Sequence, residues 1–248
     1  MDIENKIKQQ FSARCAEFDI SANWITDESL IRAHIDLAGE PSGEALEVCC
    51  GTGQIGRALK AKGWEVKGLD ICSSMLEASS KYFPVLQGRA EKIPFETGRF
   101  TLVVCRQAFH FLNIQETLHE IARVLVPQGA FVLSLTVPFS EVDSRWLYEI
   151  HRIKQPFLKK FYTTDDLTQA LKQAQFSVTE IRNLKVRESV TRWMKYAPEL
   201  PQETRGKVIA AVENAPEAYK KLHNVKVICR EVFEDWNWVV LKTSFRKI

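Results

Sequence analysis

Short apolar runs alternate with helical periodicities through the middle of the chain. Ala45-Leu46-Glu47-Val48-Cys49 reads as a strand, and Gly53 to Lys62 as a helix with Ile55 and Leu59 four apart on one face. Trp64 to Asp70 is the next strand, and Ser73 to Lys81 the next helix, opened by capping-type serines with Glu77 in its early turns. Val85 to Gln87 is a short strand and Thr101 to Arg106 a strongly apolar one. Ile114 to Val126 is a helix with Leu118, Ile121, Ala122 and Leu125 at three/four spacing, and Ala130 to Val137 another buried strand. Such alternation over about 90 residues implies parallel pairing, right-handed crossovers and a sheet covered on both faces.

The flanks are less regular. The first 35 residues look like one or two amphipathic helices, with Ile7, Phe11 and Phe18 apolar. Ser144 to Ile153 and Asp165 to Ala174 read as helices, the second opened by Thr163 or Thr164. Ser177 to Arg182 is a strand, and Ser189 to His223, broken by Pro198, Pro201 and Pro216, a set of short helices. Val225 to Phe233 and Trp236 to Thr243 look like two strands joined at Glu234-Asp235, a hairpin at the sheet's edge. The expected fold is α/β: a Rossmann-like, doubly wound, mostly parallel sheet with an antiparallel edge hairpin and appended N- and C-terminal helices forming a cap. The organisation expected is a helical cap segment over 1–40, a ligand-binding core over 41–140, and remaining core strands with helical cap insertions over 141–248.

Composition agrees with a folded chain. At 248 residues, against about 150 per domain, one enlarged domain is expected. Hydrophobic residues make up 45% and charged residues 26%, which argues against disorder or a coiled coil. The 34 Lys+Arg against 31 Asp+Glu leave +3, with no dense basic run, so nucleic acid is not demanded as a partner. The N-terminus carries charges of both signs and no apolar leader, and Gly129 to Phe139 is too short to span a bilayer, so a cytoplasmic location without membrane insertion is expected. The 6 cysteines show no spaced pair of CxxC type; reduced thiols fit, and no metal site is expected.

Gly51-Thr52-Gly53-Gln54-Ile55-Gly56 follows the first strand and opens the first core helix. Alone, that spacing is shared by many folds in which backbone approaches a ligand. Asp70 ends the second strand 19 residues after Gly51, where an acid accepts hydrogen bonds from two ribose hydroxyls. Glu47 then separates the nucleoside ligands. A dinucleotide sets a pyrophosphate at the loop, and two like charges about 4 Å apart repel by about 4 kcal/mol at an effective dielectric near 20. S-adenosylmethionine carries an ammonium and a sulfonium instead, and the same carboxylate becomes attractive. The competing reading points Glu47 into solvent at an irregular strand end.

Four ordered motifs then carry a family likeness: Glu47-Val48-Cys49-Cys50-Gly51-Thr52-Gly53; Gly68-Leu69-Asp70-Ile71 followed by Ser74-Met75-Leu76; Gly88-Arg89-Ala90-Glu91-Lys92-Ile93-Pro94-Phe95; and Arg123-Val124-Leu125-Val126-Pro127-Gln128-Gly129. Together the segment 40–140 resembles class I S-adenosylmethionine-dependent methyltransferases, in the small-molecule branch of ubiquinone/menaquinone-biosynthesis and antibiotic-tailoring enzymes. The resemblance implies S-adenosyl-L-methionine as cofactor and a small-molecule methyl acceptor. It implies that Glu47 lies near the methionine end and that Cys50, Gly51, Thr52 and Gly53 pass beneath it. Asp70 would hold the ribose, and Ile71 and Met75 would sandwich an adenine whose edge meets backbone at Arg89 and Ala90. Arg106 would line the floor by the donor's amino group. Arg89 stands where many relatives have an Asp that accepts from the adenine amino group, Thr101 replaces a frequent Asp, and Gln128 replaces a glycine.

On the acceptor side, His110 just past the fourth strand is the candidate catalytic base, its unperturbed pKa near 6.5 suiting that work; a packing or helix-start role competes. His151 is a second candidate, or a solvated helix residue. Arg14 reaches the donor's carboxylate or solvent. Trp24, Trp146, Tyr148, Phe157, Phe161, Tyr162, Trp193 and Tyr196 fall outside the motif core and either cover an apolar or aromatic acceptor or form the cores of the added helices. The leading function is O-, C- or N-methylation of a small, apolar or aromatic metabolite. The alternatives are an NAD(P)-dependent oxidoreductase and a non-catalytic S-adenosylmethionine-binding protein. Oligomeric state is not legible.

Overall fold

β1 (Glu44–Val48) is buried along almost its whole length because it lies mid-sheet, with parallel β2 (Glu65–Asp70) on one side and parallel β4 (Phe100–Arg106) on the other. The structure, a computed structural model, describes residues 3–245. β3 (Val85–Gln87), β5 (Leu125–Thr136), β6 (Phe176–Ser189), β7 (Lys226–Ile228) and β8 (Glu231–Phe245) complete the sheet, in the order β3-β2-β1-β4-β5-β8-β6 with β7 on β8. Pairing is parallel from β3 to β5 and antiparallel beyond. Chain order reverses between β1 and β4, so the carboxyl ends of those strands open the crevice in which doubly wound sheets hold ligands.

Period-two alternation sends neighbouring residues to opposite faces. Leu102 and Val104 pack with Ile55 and Leu59 of α5 (Gln54–Ala61), while Val103 and Cys105 meet Leu118 and Ile121 of α7 (Ile114–Val124). Two apolar cores result, one on each side of the sheet.

The N-terminal segment is more broken than the expected one or two helices: α1 (Ile3–Arg14), α2 (Phe18–Ser21), α3 (Asn23–Thr26) and α4 (Glu28–Ala38) follow in succession. Asp27 caps α4 by accepting from the Leu30 amide at 2.8 Å, and buried Glu188 of β6 accepts the Asn23 and Trp24 amides at 2.8 and 2.6 Å. α6 (Ser73–Ser79) is capped at Cys72 without any serine side chain; the Asp70 carboxylate takes the Cys72 amide at 2.9 Å instead. α7 stops at Val124, two residues short of the expected end, because β5 begins there.

α8 (Glu141–Lys154) starts in a Ser140–Asp143 capping box, α9 (Thr164–Gln173) in a Thr163–Asp166 one. α10 (Val190–Lys195), α11 (Gln202–Glu213) and α12 (Glu217–Leu222) are the short helices expected before the last strands. β6 runs well past Arg182, to Ser189.

The terminal hairpin differs from expectation. Its turn is Cys229-Arg230, both at positive φ (50° and 68°), the two-residue geometry that matches strand twist. β8 continues unbroken through Glu234-Asp235 and lies between β5 and β6 rather than at the edge. Those two charges tolerate strand interior because both are partnered: Glu234 accepts from the Tyr219 hydroxyl at 2.9 Å and Trp236 Nε1 at 2.8 Å, and Asp235 from Arg187 at 2.8 Å.

Candidate functional site

The loop from β1 to α5 turns on residues in the left-handed region, Cys49 (φ 56°), Gly51 (φ 50°) and Gly53 (φ 83°). A side chain on Gly53 would press on Phe83 at 2.9 Å, so the loop lies tight against the neighbouring helix–strand connection. Above it is a cavity walled by this loop, the ends of β2 and β4, and the cap elements α1, α3, α8 and α10.

Glu47 faces that cavity and not solvent: it is 4% exposed, and its Oε2 accepts the Gly56 amide at 2.8 Å. Burial pushes its carboxyl up to about 7, against the pull of Arg106 and the Gly56 and Ile55 amides. Asp70 accepts the Gly51 and Cys72 amides at 2.9 Å each, one per oxygen, which leaves a lone pair on both oxygens for a ligand. Burial raises its pKa too. Thr52 and Gln54 are tied to Asp19 of α2 at 2.6 and 2.7 Å, docking the cap onto the loop.

Arg106 Nη1 donates to the Trp24 and Ile25 carbonyls at 3.2 and 3.1 Å, and its guanidinium carbon lies 5.0 Å from the Trp24 ring centroid. Burial pushes Arg106 down to about 10, partly offset by Glu47, Asp19 and Asp27, and it remains a cation.

Cys50, Gly51, Thr52, Ile71 and Met75 line the same cavity with Glu47 and Asp70. Gly53, Arg89 and Ala90 do not. Gly53 caps α5, the Ala90 side chain is buried in the core under β1, and the Arg89 side chain, half exposed, is paired with Glu4.

On the opposite wall His110 is 2% exposed. Its Nδ1 lies 3.0 Å from the Lys160 carbonyl, which fixes that nitrogen as the protonated one; Nε2 makes no hydrogen bond of normal geometry among the described residues, although the Thr136 backbone also acts on the ring. The ring stacks on Phe161 at 4.6 Å, and burial pushes its pKa down to about 4, so it is a neutral imidazole. His151 is not solvated: it is 3% exposed, each of Phe161, Trp193 and Trp236 lies with its ring centroid 5.0 Å away, and its Nε2 has no partner among the described residues. Arg14, expected to reach a ligand or solvent, is not solvated either: it is 4% exposed, lines the cavity and donates through Nε to Glu199 at 2.7 Å.

Of the aromatic residues expected over the site, Trp24 and Trp193 line the cavity, Phe161 backs the two histidines, and Trp146 packs on Tyr219. Trp236, Phe111 and Lys154 also line it and were not singled out by sequence. Lys154 ends α8, where a basic residue ordinarily just complements the helix terminus.

Residues 46–133 match the family model described as a methyltransferase domain. An uncharacterized methyltransferase-like protein of Schizosaccharomyces pombe is 26% identical over 232 residues, covering 88% of this chain and 87% of that one. Demethylmenaquinone methyltransferase of Staphylococcus aureus is 32% identical over 164 residues, 60% of this chain and 67% of that protein. The chain belongs to the S-adenosylmethionine-dependent methyltransferases. Several bacterial methyltransferase relatives match over about half their length. In fold, the methyltransferase superimposes on the YcgJ protein of Bacillus subtilis with a TM-score of 0.77 at 19% identity, over 88% of this chain and 98% of that one. Family membership sets aside the oxidoreductase reading. Among the described residues, no helix of this methyltransferase is long and apolar enough to cross a membrane.

Proposed function

We propose that this methyltransferase transfers a methyl group from S-adenosylmethionine to a small, apolar or aromatic metabolite inside the cavity described above. The observation that carries this reading is the buried Glu47 carboxylate beside the glycine loop. With Asp70 nearby it makes this end of the cavity acidic, which suits a cationic nucleoside and opposes a diphosphate. The donor, when bound, supplies a methyl carbon on a positively charged sulfur that leaves as a neutral thioether.

The chain's own groups then have distinct parts. Glu47 takes the donor's ammonium, and Arg106, by its field, favours the ionised form of that carboxylate. The lone pairs left on Asp70 accept from two ribose hydroxyls, and Ile71 and Met75 supply apolar faces for the base. Arg89 and Ala90 lie off the cavity wall, and adenine contacts rest on Ile71 and Met75 alone in this reading. The cap excludes water and fixes the acceptor, and positioning of two reactants is worth on the order of 7–11 kcal/mol. His110 Nε2 accepts a proton or a hydrogen bond from the acceptor. A walled cavity behind α1, α3 and α10 favours a small acceptor over a polymer.

Calorimetric titration with S-adenosylmethionine and S-adenosylhomocysteine tests the reading. Saturable micromolar-range heats, about tenfold or more weaker in Glu47→Ala, are expected. Absence of heat with both ligands overturns it.

A further inference from the structure

Around the cavity wall Lys154 is a deeply buried cationic side chain that forms no ion pair among the described residues. Arg106 sits in the field of Glu47, Asp19 and Asp27, and Arg14 is bonded to Glu199. Lys154 is 2% exposed and lines the cavity, yet its Nζ has one hydrogen-bond partner, the Trp193 carbonyl at 2.8 Å, and otherwise faces the Trp193 ring at 4.2 Å. Among the described residues no carboxylate reaches it at ion-pairing distance; Glu199 gives one oxygen to Arg14, and Glu188 spends its oxygens on the Asn23 and Trp24 amides. Burial also pushes Glu188 up to about 8, which leaves it largely neutral near pH 7.

With Lys154 protonated, the three groups Arg14, Lys154 and Glu199 sum to one positive charge. A buried ammonium in that condition is costly, and two of its three N–H donors have no partner among the described residues. Burial and the neighbouring Arg14 hold its pKa well below the usual lysine value, against the fields of Glu199 and Glu188, so an anion bound beside Nζ would favour the ammonium form. The cavity thus carries Glu47 and Asp70, with Arg106, at the β1, β2 and β4 ends, and Lys154, bonded to Trp193 of α10, on the cap side, and His110, His151, Trp193 and Trp236 also line it.

We propose that the acceptor bears a carboxylate on its aromatic or apolar body, and that the Lys154 ammonium is the group that binds it. This deepens the methyl-transfer reading and rests on it. A single uncompensated charge matches a singly charged group; a phosphate's second charge would be unmatched. The walls that meet the acceptor's body are the Trp193 and Trp236 rings, and His110 Nε2 accepts from any hydroxyl it carries.

The test titrates matched pairs into the full chain, with and without saturating S-adenosylhomocysteine: benzoate against benzamide, 1-naphthoate against 1-naphthamide, and indole-3-acetate against its amide. At least one acid is expected to bind about tenfold more tightly than its amide. Lys154→Met should erase that preference and Lys154→Arg retain part of it, both leaving S-adenosylhomocysteine affinity unchanged. The inference is overturned if no acid outperforms its amide, whether both bind equally or neither binds, or if the preference survives in Lys154→Met. Should the methionine variant not fold, the wild-type acid–amide comparison decides alone. Loss of S-adenosylhomocysteine binding by the wild-type chain would instead sink the donor reading, a result recorded separately from the acid–amide ratio.

Discussion

The Gly56 amide and the Glu47 Oε2 atom are joined by a hydrogen bond of 2.8 Å that ties the first turn of α5 to β1. Only glycine permits this approach. A Cβ at position 56 would stand 2.5 Å from the Phe83 ring and 2.6 Å from that same carboxylate oxygen, so ring and carboxylate must both shift to admit it. Gly56→Ala is expected to cost about 1–3 kcal/mol by overpacking and to weaken S-adenosylhomocysteine binding as Glu47 is displaced. Urea unfolding followed by tryptophan fluorescence reads the first effect. An unchanged midpoint would show that α5 shifts outward freely.

Glu47 should trade stability for affinity. Its carboxyl is held up at about 7, above an ordinary 4.5, so between those values the folded chain keeps a proton that the unfolded chain releases. Stability from this group is therefore full below the ordinary carboxylate range and falls as pH rises toward 7, a loss on the order of 3 kcal/mol. Burial of Asp70 gives a slope of the same sign, so the comparison with Glu47→Gln isolates residue 47. At pH 8 the unliganded glutamine variant should be more stable than wild type while binding S-adenosylhomocysteine more weakly. Wild-type affinity should fall as pH drops from 8 to 5.5, since the proton must leave before the ligand's ammonium is paired. A variant both less stable and unaltered in affinity would contradict the assignment.

His110 is expected not to titrate across the neutral range. Its folded pKa of about 4 lies below the ordinary 6.5, so the unfolded chain takes up a proton that the folded one refuses, and stability is lost as pH falls from 6.5 through 4. Imidazole nitrogen shifts measured by NMR between pH 8 and 5 should show a neutral ring with the proton on Nδ1, donated to Lys160. An inflection near 6.5 assigned to His110 would remove the basis for a bare Nε2 facing the acceptor.

The core of the fold was legible because its signals are local. Apolar alternation in β1 and β4, the glycine spacing and the acid ending β2 each reflect forces within a few residues of chain, whereas the Gly51 amide bound by Asp70 at 2.9 Å, 19 residues away, is not foreseen. The cap was legible only in outline, since its side chains are defined by partners far away in sequence. Arg14 meets Glu199 and Glu188 meets Asn23, separations of 185 and 165 residues, so nothing near either charge foretells its burial. Lys154 shows the same limit: as the last residue of an amphipathic helix it looks solvated, and only the arrival of α10 encloses it. Glu234-Asp235 looks like a turn in the sequence because nothing there shows that Tyr219 and Trp236 hydrogen-bond Glu234 and that Arg187 pairs with Asp235.

Outside the cavity, Asp143 organises the start of α8 and should behave as a structural residue. It is fully buried and accepts the Phe139 and Ser140 amides at 2.9 and 2.8 Å and His223 Nε2 at 2.9 Å, while His223 Nδ1 lies 3.0 Å from the Asp235 carbonyl and its ring stacks on Tyr219 at 3.9 Å. Burial alone would raise the Asp143 pKa, but His223 and the two amides outweigh it and the group lies below its ordinary value. Its stabilisation is thus present above the ordinary aspartate range and lost as pH falls through the lowered folded value. Asp143→Ala removes a cap and leaves two amides and an imidazole nitrogen unsatisfied in the interior, for an expected cost of about 3–5 kcal/mol. Asp143→Asn, which keeps the shape and one acceptor oxygen, should cost less. Because none of these groups lines the cavity, S-adenosylhomocysteine affinity of the folded fraction should match wild type in both variants, measured by calorimetry at a temperature where each remains folded. A selective loss of affinity in a stably folded Asp143→Asn protein would show instead that the Asp143–His223 pair is coupled to the ligand site through α8, the helix that also carries His151 and Lys154.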